Sequence, residues 1–303
     1  MFRRGSIISV VTVLCLLISA LSSHADSDNV VQGIEIGDIP VKIGVLAKRG
    51  PEVCLKKWSP TADYLDEELP GYDFEIVPLS FDEIFSNVEA GDIDFVLANS
   101  SYYAQIEVLY GATRLVTLKN LRMGESYTHF AGVIFCRKDN AEIKTIRDLK
   151  NKRFMAVDPN SFGGWQMAWY ELLENDIDPE KDFKAMLFGG THDAVVYEVL
   201  NGSVDAGTVR SDTLERMELE GKIRISDFHV INLYDCPYGE NFTFVHSTRH
   251  YPEWPIAKVS GTDPELAEAV TAALLEMPHE SYAAQMARSK GWTVPANYQP
   301  VHT

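Results

Sequence analysis

A loop of small and polar residues, set between an apolar run and a helical pattern, is the stretch of this sequence best suited to bind a ligand. Phe154–Val157 has the length of a buried strand, and Asp158–Ser161 consists of turn-forming residues. From Trp165 onward apolar residues recur at helical spacing. The first N–H groups of such a helix have no acceptor within the helix, and its dipole favours negative charge. The pattern therefore indicates an anion site, in which Ser161 adds a hydroxyl and Gly163 and Gly164 let a ligand approach the backbone.

The same stretch has a purely structural interpretation. It could be an ordinary strand–helix turn in which Ser161 is the N-cap. It is neither a Rossmann fingerprint nor a P-loop, because no Gly-Lys-Ser/Thr follows Gly164. The loop alone leaves both interpretations open.

Two further loops in this half of the chain also carry polar residues after a strand. Thr191 and His192 follow the predicted strand Asp182–Phe188, and Arg210 follows the next strand. We expect these side chains and Ser161 to lie at one edge of a sheet, because parallel strands end there together. A guanidinium at this edge would give a charge-assisted bond to an anion. His192 is alternatively a surface or capping side chain; as a ligand contact it would make affinity depend on pH.

The first half of the chain offers a second pair of cations. Lys48 and Arg49 lie in the loop after the predicted strand Val41–Leu46, at a position suited to an anion. The alternative is a pair of solvated surface cations.

A polar cluster follows the predicted strand Ile93–Leu97, which is fully apolar and therefore central and parallel in our prediction. Asn99, Ser100 and Tyr102 come directly after it. Ligands of open α/β sheets bind beyond the carboxyl ends of the strands, so this cluster is a further candidate for the site.

Catalytic and metal-binding motifs are missing from the sequence. It has no Gly-x-Ser-x-Gly elbow, no His-Glu-x-x-His pair and no Cys-x-x-Cys pair. Scattered histidines are more often core or surface residues than metal ligands. We therefore expect no catalysis, no cofactor and no metal ion.

The N-terminus predicts export. Met1–Arg4 is basic, Ile7–Leu21 is apolar, and Ser23-His24-Ala25 has the small-x-small pattern of a cleavage site. We expect residues 1–25 to be a signal peptide, cleaved after Ala25, and the mature protein to lie in a bacterial periplasm. No later stretch is long and apolar enough to span a bilayer.

The composition limits the partners of the protein. The 303 residues are 46% hydrophobic and carry a formal charge of −17, so nucleic acid and acidic membranes are poor partners. A small anion is still allowed, because helix termini and one or two cations act locally.

Three cysteines follow the predicted signal peptide. Cys136 lies in an apolar run and is expected to be buried, and Cys54 lies in the first turn of a predicted helix, where a dipole can lower a thiol pKa. With Cys236 the number is odd, which in an oxidising compartment leaves a free thiol or an intermolecular bridge.

The alternation of strand and helix patterns predicts an α/β protein of two lobes, each a mostly parallel sheet flanked by helices. Lobe 1 comprises residues 40–129 plus 233–303, and lobe 2 comprises residues 130–232. Two hinge crossovers are expected, near Tyr127–Gly132 and Ser226–Leu233. Phe242–His246 alternates and is predicted to be a strand of lobe 1.

From about Val41 to His302 the sequence resembles the phosphate/phosphite/phosphonate substrate-binding proteins of ABC transporters, which are type 2 periplasmic binding proteins. The resemblance rests on Val41–Val45, Gly91–Phe95, Phe154–Asp158 and Gly202–Gly207. It implies the two-lobed fold and an oxyanion held on helix N-termini. The matching positions are Ser161, Phe162, Gly163, Thr191 and His192, with Tyr102 from the other lobe.

A narrower resemblance points to a sensor. Asp158–Trp169, Phe188–Val195 and Ala206–Arg216 are similar to the periplasmic sensor domain of tetrathionate- and thiosulfate-sensing histidine kinases. In that group a membrane helix and a kinase follow, whereas this sequence ends at Thr303. We therefore expect a free binding protein.

Together these patterns predict a periplasmic solute-binding protein, not an enzyme. It would capture a phosphonate- or phosphite-like anion or a sulfur oxyanion between its lobes and present it to an ABC transporter permease. The alternative is a ligand-binding accessory or sensor component for a membrane histidine kinase. The carboxylates that bind an aminoalkyl ammonium in phosphonate-binding members have no match here, so the cations Arg210 and Lys48 or Arg49 favour a fully anionic ligand. We expect a monomer.

Overall fold

A computed structural model describes residues 38–233 and 242–302 of the protein. Fourteen strands lie in these residues: β1 Ile39–Leu46, β2 Tyr72–Leu79, β3 Phe95–Leu97, β4 Thr113–Arg122, β5 Glu125–Tyr127, β6 His129–Phe130, β7 Gly132–Arg137, β8 Arg153–Ala156, β9 Ala185–Phe188, β10 Ala206–Arg210, β11 Phe228–Ile231, β12 Tyr251–Pro252, β13 Pro255–Lys258 and β14 Ser289–Thr293.

The α-helices of the same residues are α1 Pro51–Glu68, α2 Glu83–Ala90, α3 Ser100–Tyr110, α4 Met167–Glu174, α5 Pro179–Asp182, α6 His192–Leu200, α7 Thr213–Leu219, α8 Pro264–Glu276 and α9 Tyr282–Ala287. A π-helical turn, Phe162–Gln166, leads directly into α4, and 3₁₀ turns occupy Ile146–Leu149, Ile225–Asp227 and Gln299–Val301. No helix of the described part of the chain is both long enough and apolar enough to cross a bilayer.

The first sheet has the order β14-β4-β13-β3-β1-β2, with β5 paired to β4. The pairs of β1 with β2 and with β3 are parallel, and the pairs made by β13, β14 and β5 are antiparallel. Helices α1, α8 and α9 bury one face of this sheet, and α2 and α3 bury the other.

The second sheet has the order β11-β7-β10-β8-β9. Its parallel part is β10-β8-β9, and β7 pairs antiparallel with both β10 and β11. Two segments of the chain connect the sheets. β6 lies in the first and β12 in the second, and these two strands form a separate antiparallel pair. The predicted two-lobed α/β architecture is thus present, but both sheets are mixed, and parallel order is limited to the strands that alternate with helices.

The second crossover lies later in the chain than predicted. Phe228–Ile231, which was expected to lead back to the first lobe, is the edge strand β11 of the second sheet. Ser247 N–H then donates to the carbonyl oxygen of Gly132 in β7 at 2.8 Å. The chain passes back through β12, at Tyr251–Pro252. An edge strand and a crossover have the same short apolar pattern, so the sequence could not separate them.

The predicted strand Phe242–His246 is wrong. These residues are irregular in the structure, and Phe242 and Phe244 pack on the ring of Tyr127 at centroid distances of 5.7 and 4.9 Å. Their alternation reflects this aromatic packing and not a strand partner.

The loops at the carboxyl ends of the strands lead into helices with local caps. Asn99 accepts from the N–H of Tyr102 at the start of α3, and Thr191 accepts from the N–H of Ala194 at the start of α6. Ser161 Oγ accepts from the N–H of Gly164 at 3.2 Å, as its structural interpretation as an N-cap predicts. These bonds fix the directions in which the loops leave the sheets.

Gly164 is required by close contacts in its loop. A Cβ atom at this position would lie 2.6 Å from both Ser161 Oγ and Val157 Cγ2. We expect Gly164→Ala to lower the free energy of unfolding by about 1–3 kcal/mol, because the packed side chains around it must move. Urea unfolding of the purified protein measures this change. Gly261→Ala is the matched control, since nothing lies within 4 Å of its Cβ position. Equal stability of the two variants would contradict the prediction.

Candidate functional site

A small cavity lies where loops from the two sheets meet. Its volume is about 30 Å³, enough for a few water-sized groups. The residues that line it come from both lobes and from the segment after β12; they are Lys48, Phe81, Asn99, Phe130, Ser161, Phe162, Gly163, Gly164, His192, Arg210 and Trp254. We call this cavity the anion pocket.

Eight of the residues predicted from the sequence line the anion pocket: Lys48, Asn99, Ser161, Phe162, Gly163, Gly164, His192 and Arg210. The structure therefore brings together the segments after β1, β3, β8 and β9 and the last residue of β10, as their position at the carboxyl ends of strands predicts.

The other four predicted residues do not line the pocket. Arg49 is exposed beside it. Ser100 is buried and donates its hydroxyl to the carbonyl oxygen of Pro252. Tyr102 packs against Phe81 and Phe85, and Thr191 caps α6. Ser100, Tyr102 and Thr191 make contacts within the fold. Their position after a strand did not distinguish such structural contacts from contacts with a ligand.

The turn that precedes α4 forms part of the pocket wall. The first N–H groups of a helix have no intrahelical acceptor. Ser161 takes that of Gly164, while Phe162 and Gly163 lie in the pocket wall. A Cβ atom at Gly163 would lie 2.9 Å from the ring of Phe130 and 3.2 Å from Arg210 Cβ, so only glycine allows this close approach.

Arg210 is the centre of an ion-pair network that joins the two lobes. It bonds to Glu253 Oε1 through Nη2, and its Nε lies 3.2 Å from Asp212 Oδ1. Asp212 Oδ2 lies 3.0 Å from Nε of Arg122, which belongs to β4 of the first sheet. The guanidinium also stacks on Phe130, with Cζ 4.0 Å from the ring centroid.

Glu253 is fully buried, and it stays ionised because of its partners. Burial alone would raise its pKa, but the charges of Arg210 and Arg122 and the hydrogen bonds from Arg210 and Asn120 more than offset this, so the pKa of Glu253 lies below its usual value. Asn120 Nδ2 donates to Glu253 Oε1 at 2.7 Å.

His192 is neutral in this site. The backbone N–H of Arg210 donates to Nδ1 of the ring at 3.2 Å, so the proton of the neutral imidazole lies on Nε2. Burial, with the charges of Lys48 and Arg210, lowers the pKa of His192 to about 3. His192 can therefore donate one hydrogen bond into the pocket without titrating near neutral pH.

Two lysines bring positive charge that no carboxylate of the described residues pairs with. Surrounding protein atoms, followed by the charges of Arg210, Arg122 and Arg49, lower the pKa of Lys48 to about 8, opposed by Glu253. Lys48 is nevertheless exposed to solvent, which weakens this lowering.

Lys57 behaves in the same way. Burial and the charges of Arg122, Lys48 and Arg210 lower its pKa to about 7, again opposed by Glu253. Its ammonium group lies 4.4 Å from the ring centroid of Trp58.

The group of charged side chains around Arg210 is therefore positive overall. Four cations, Lys48, Lys57, Arg122 and Arg210, face two carboxylates, Asp212 and Glu253, which leaves two positive charges while both lysines are protonated. A negative ligand would relieve the repulsion among these cations, which adds to the effect of burial in lowering the lysine pKa values. The arrangement is suited to bind an anion through charge, the Nε2–H of His192 and backbone N–H groups.

Several residues of this site were missed in the sequence. The pocket walls Phe81, Phe130 and Trp254 follow no polar loop pattern. Glu253 lies between two prolines in a segment that gave no strand or helix signal, and Asp212 lies two residues after Arg210, where the sequence singled out only the cation. Their positions depend on how the lobes meet, which periodicity does not report.

The cysteines of the described residues take no part in the site. Burial raises the pKa of the Cys54 thiol to about 11, which is opposite in direction to the lowering that a helix dipole can cause. Cys136 is buried, as predicted, and both thiols are free. Cys236 and the predicted signal peptide lie outside the described residues. In residues 38–233 and 242–302 no group of His, Cys, Asp and Glu side chains could hold a metal ion.

A comparison with protein families identifies the class of protein. The profile of the family described as "ABC transporter, phosphonate, periplasmic substrate-binding protein" matches residues 43–299. The chain belongs to this family. Its members bind substrates and are not enzymes, and the family is periplasmic. This confirms the resemblance seen in the sequence.

A curated relative has a sensor function. The tetrathionate sensor histidine kinase TtrS of Salmonella typhimurium is 30% identical over 259 residues, which cover 86% of this chain and 42% of the relative. The chain thus spans less than half the length of that protein.

Solved structures confirm the type 2 periplasmic binding protein fold. XAC2383 from Xanthomonas citri, bound to ATP, has a TM-score of 0.69 at 18% identity, covering 86% of this chain and 95% of its own. PhnD1 from Prochlorococcus marinus, in complex with methylphosphonate, has a TM-score of 0.65 at 17% identity, covering 87% of this chain and 96% of its own.

The buried ion pair of Arg210 and Glu253 should contribute to the stability of the folded protein. Arg210→Met removes the ion-pair partner of the buried Glu253, which keeps only the hydrogen bond from Asn120 and the charge of Arg122, so we expect the free energy of unfolding to fall by about 3–5 kcal/mol. Arg210→Met combined with Glu253→Gln should recover most of this loss, since it removes both charges. Denaturant unfolding of the two variants measures the difference. Arg137→Met is the control, because Arg137 pairs with Asp139 at the surface. A double variant no more stable than the single one would contradict the prediction.

Proposed function

We propose that this protein is a periplasmic solute-binding protein that captures a small oxyanion, phosphonate- or phosphite-like or based on sulfur, between its lobes and presents it to an ABC transporter. The membership of the chain in a substrate-binding family supports the general role. Beyond this role, we propose that the ligand is an anion, that it binds in the anion pocket and that the partner is an ABC transporter.

The excess of positive charge around the pocket favours an anion as the ligand. The residues around the anion pocket hold two positive charges in excess, and burial, followed by the charges of neighbouring cations, lowers the pKa values of Lys48 and Lys57. Such an arrangement is unfavourable while the pocket is empty of negative charge. An anion bound between the lobes would be attracted by residues of both, so binding would favour a closed arrangement that a membrane partner can recognise.

The groups that would hold the anion come from both lobes. Lys48 would supply charge from the first lobe. His192 would donate from Nε2, and the N–H groups of Phe162 and Gly163 would point at the ligand from the second lobe. Arg210 would contribute charge from the pocket wall while remaining bonded to Glu253.

A second candidate function is a sensor component for a membrane histidine kinase. The 30% identity to the tetrathionate sensor kinase extends over most of this chain, which favours this alternative and a sulfur oxyanion as ligand. The two functions use the same pocket and differ in ligand and partner. Thermal unfolding with phosphate, phosphite, methylphosphonate, sulfate, thiosulfate and tetrathionate separates the ligand classes, because a ligand that binds the native state raises Tm.

Export to the periplasm as a monomer is part of the proposal. We expect the mature chain to begin at Asp26 after cleavage of the signal peptide. Intact mass of the protein recovered from a periplasmic extract, and its elution in size-exclusion chromatography, test these two points.

The affinity for a permanently charged anion should depend on Lys48. Lys48→Gln removes a cation from the pocket wall, so we expect about tenfold weaker sulfate binding by isothermal titration calorimetry, which corresponds to about 1.4 kcal/mol. Arg49→Gln is the matched control, because Arg49 is the adjacent cation and does not line the pocket. An equal effect of both substitutions would contradict the assigned site.

The same titration should depend on pH. Lys57 and Lys48 are protonated below their pKa values of about 7 and about 8 and lose their charge above them. Bound anion raises both pKa values, so the affinity for sulfate should be full below pH 7 and fall as the pH rises through 8 and above. Lys48→Gln should reduce this fall. Affinity that rises with pH in this range would contradict the prediction.

A further inference from the structure

The hydrogen-bonding groups of the anion pocket are almost all donors. The described residues that line it supply cations, an imidazole, an amide, a hydroxyl and the π-helical turn, but no carboxylate. An anion whose oxygens carry no proton needs only donors, whereas an anion that keeps an O–H also needs an acceptor. The polar atoms that the fold already uses decide whether the pocket offers one.

Asn99 lines the pocket with its side-chain oxygen already bonded. Its Oδ1 accepts from the backbone N–H of Tyr102 at 3.0 Å, as the N-cap of α3. A backbone N–H can only donate, so the atom that faces it is the oxygen of the amide and not the nitrogen. No acceptor for Nδ2 of Asn99 lies among the described residues. The N–H groups of Nδ2 are therefore what this side chain has left for a ligand.

His192 and Ser161 follow the same pattern. The N–H of Arg210 donates to Nδ1 of His192, so the ring has only its Nε2–H left to bond a ligand. Ser161 Oγ accepts from the N–H of Gly164 at 3.2 Å, and its own hydrogen remains to donate. The second lone pair of this hydroxyl is a neutral acceptor, which is weaker than a carboxylate.

The backbone carbonyls of the π-helical turn are used as well. The carbonyl oxygen of Ser161 accepts from the N–H of Gln166, and that of Gly164 accepts from the N–H of Val157, both at 3.1 Å. The carbonyl oxygen of Phe162 accepts from the first N–H of α4. The turn thus keeps these oxygens within its own hydrogen bonds.

The two carboxylates of the ion-pair network are turned to their cations. Glu253 Oε1 accepts from Arg210 and from Asn120, and the oxygens of Asp212 lie against Arg210 and Arg122. Glu253 is fully buried, and neither carboxylate lines the pocket. They balance charge without offering an acceptor to the ligand.

We propose that the anion pocket selects a head group that carries no proton, as in the anion of a strong oxyacid, and binds weakly any anion that keeps an O–H. Asn99 is a specificity-determining residue of this selection. The inference rests on the proposed anion-binding function and adds the class of ligand to it. An O–H placed among these donors has no strong acceptor, whereas a proton-free oxygen accepts from each of them.

The test compares fluorophosphate with hydrogen phosphate by isothermal titration calorimetry on the full mature protein. At mildly alkaline pH both are tetrahedral dianions of phosphorus, and they differ by a fluorine in place of one O–H. We expect fluorophosphate to bind about tenfold or more tightly, and within about threefold of sulfate, whose head group also lacks a proton. Because all titrations use one pH, the protonation of the lysines affects the ligands equally.

Asn99→Asp adds the missing acceptor with little change of shape. Asp is also a good N-cap, so the bond from the N–H of Tyr102 should remain. The new carboxylate repels a proton-free anion but can accept the proton of hydrogen phosphate. We therefore expect the preference for fluorophosphate to fall about tenfold or to reverse.

Asn297→Asp is the matched control. Its Oδ1 also accepts from a backbone N–H, that of Gln299 at 3.0 Å, and the residue is exposed and does not line the pocket. The substitution adds the same charge and should leave the preference for fluorophosphate unchanged.

The outcomes separate this inference from the proposed function. Equal affinity of the native protein for fluorophosphate and hydrogen phosphate, or tighter binding of hydrogen phosphate, would overturn the inference and leave the proposed function intact. An undiminished preference in Asn99→Asp would overturn the role of Asn99. Failure of every anion, sulfate included, to bind would overturn the proposed function as well.

Discussion

The ion-pair network around Arg210 is the interaction on which the site depends. Arg210 in β10 bonds to the buried Glu253, and Asp212 connects it to Arg122 of the first sheet. Breaking one partner of such a buried pair leaves an uncompensated charge, which destabilises far more than a surface pair contributes. The network therefore fixes how the loops of both lobes meet. It also means that Arg210 is a poor residue for testing ligand binding by simple removal, because its loss changes the fold of the pocket.

The network leaves a local excess of positive charge, in a protein whose formal charge is −17. Lys48 and Lys57 are held near the network with lowered pKa values, which is unfavourable for the empty protein. Binding sites often retain unfavourable groups of this kind, because a ligand of opposite charge relieves them. The bulk charge of the protein thus gave no guide to its pocket. The local balance of cations and carboxylates, together with the small volume of the cavity, about 30 Å³, supports the proposal of a small anionic group.

The sequence predicted the fold class, the loops of the site and eight of its lining residues, because strand ends and capped helix starts have local signals. Ser161 and His192 are examples, since each lies in a loop between a buried strand and a helix. Residues that the site takes from contacts between lobes had no such signal. Phe130 and Trp254 are ordinary apolar positions until the lobes meet, and Glu253 lies in an irregular segment. The second crossover was misplaced because edge strand β11 has the same pattern as a connecting strand.

We propose that the cavity beside Arg210 binds an anion. The most direct test is a crystal structure of the mature protein with selenate, located by anomalous scattering from selenium. We expect a selenium peak in the anion pocket, with oxygen atoms within hydrogen-bond distance of Lys48 Nζ, His192 Nε2 and the N–H groups of Phe162 or Gly163. An empty pocket at a selenate concentration that saturates binding in solution, or a peak elsewhere only, would contradict it.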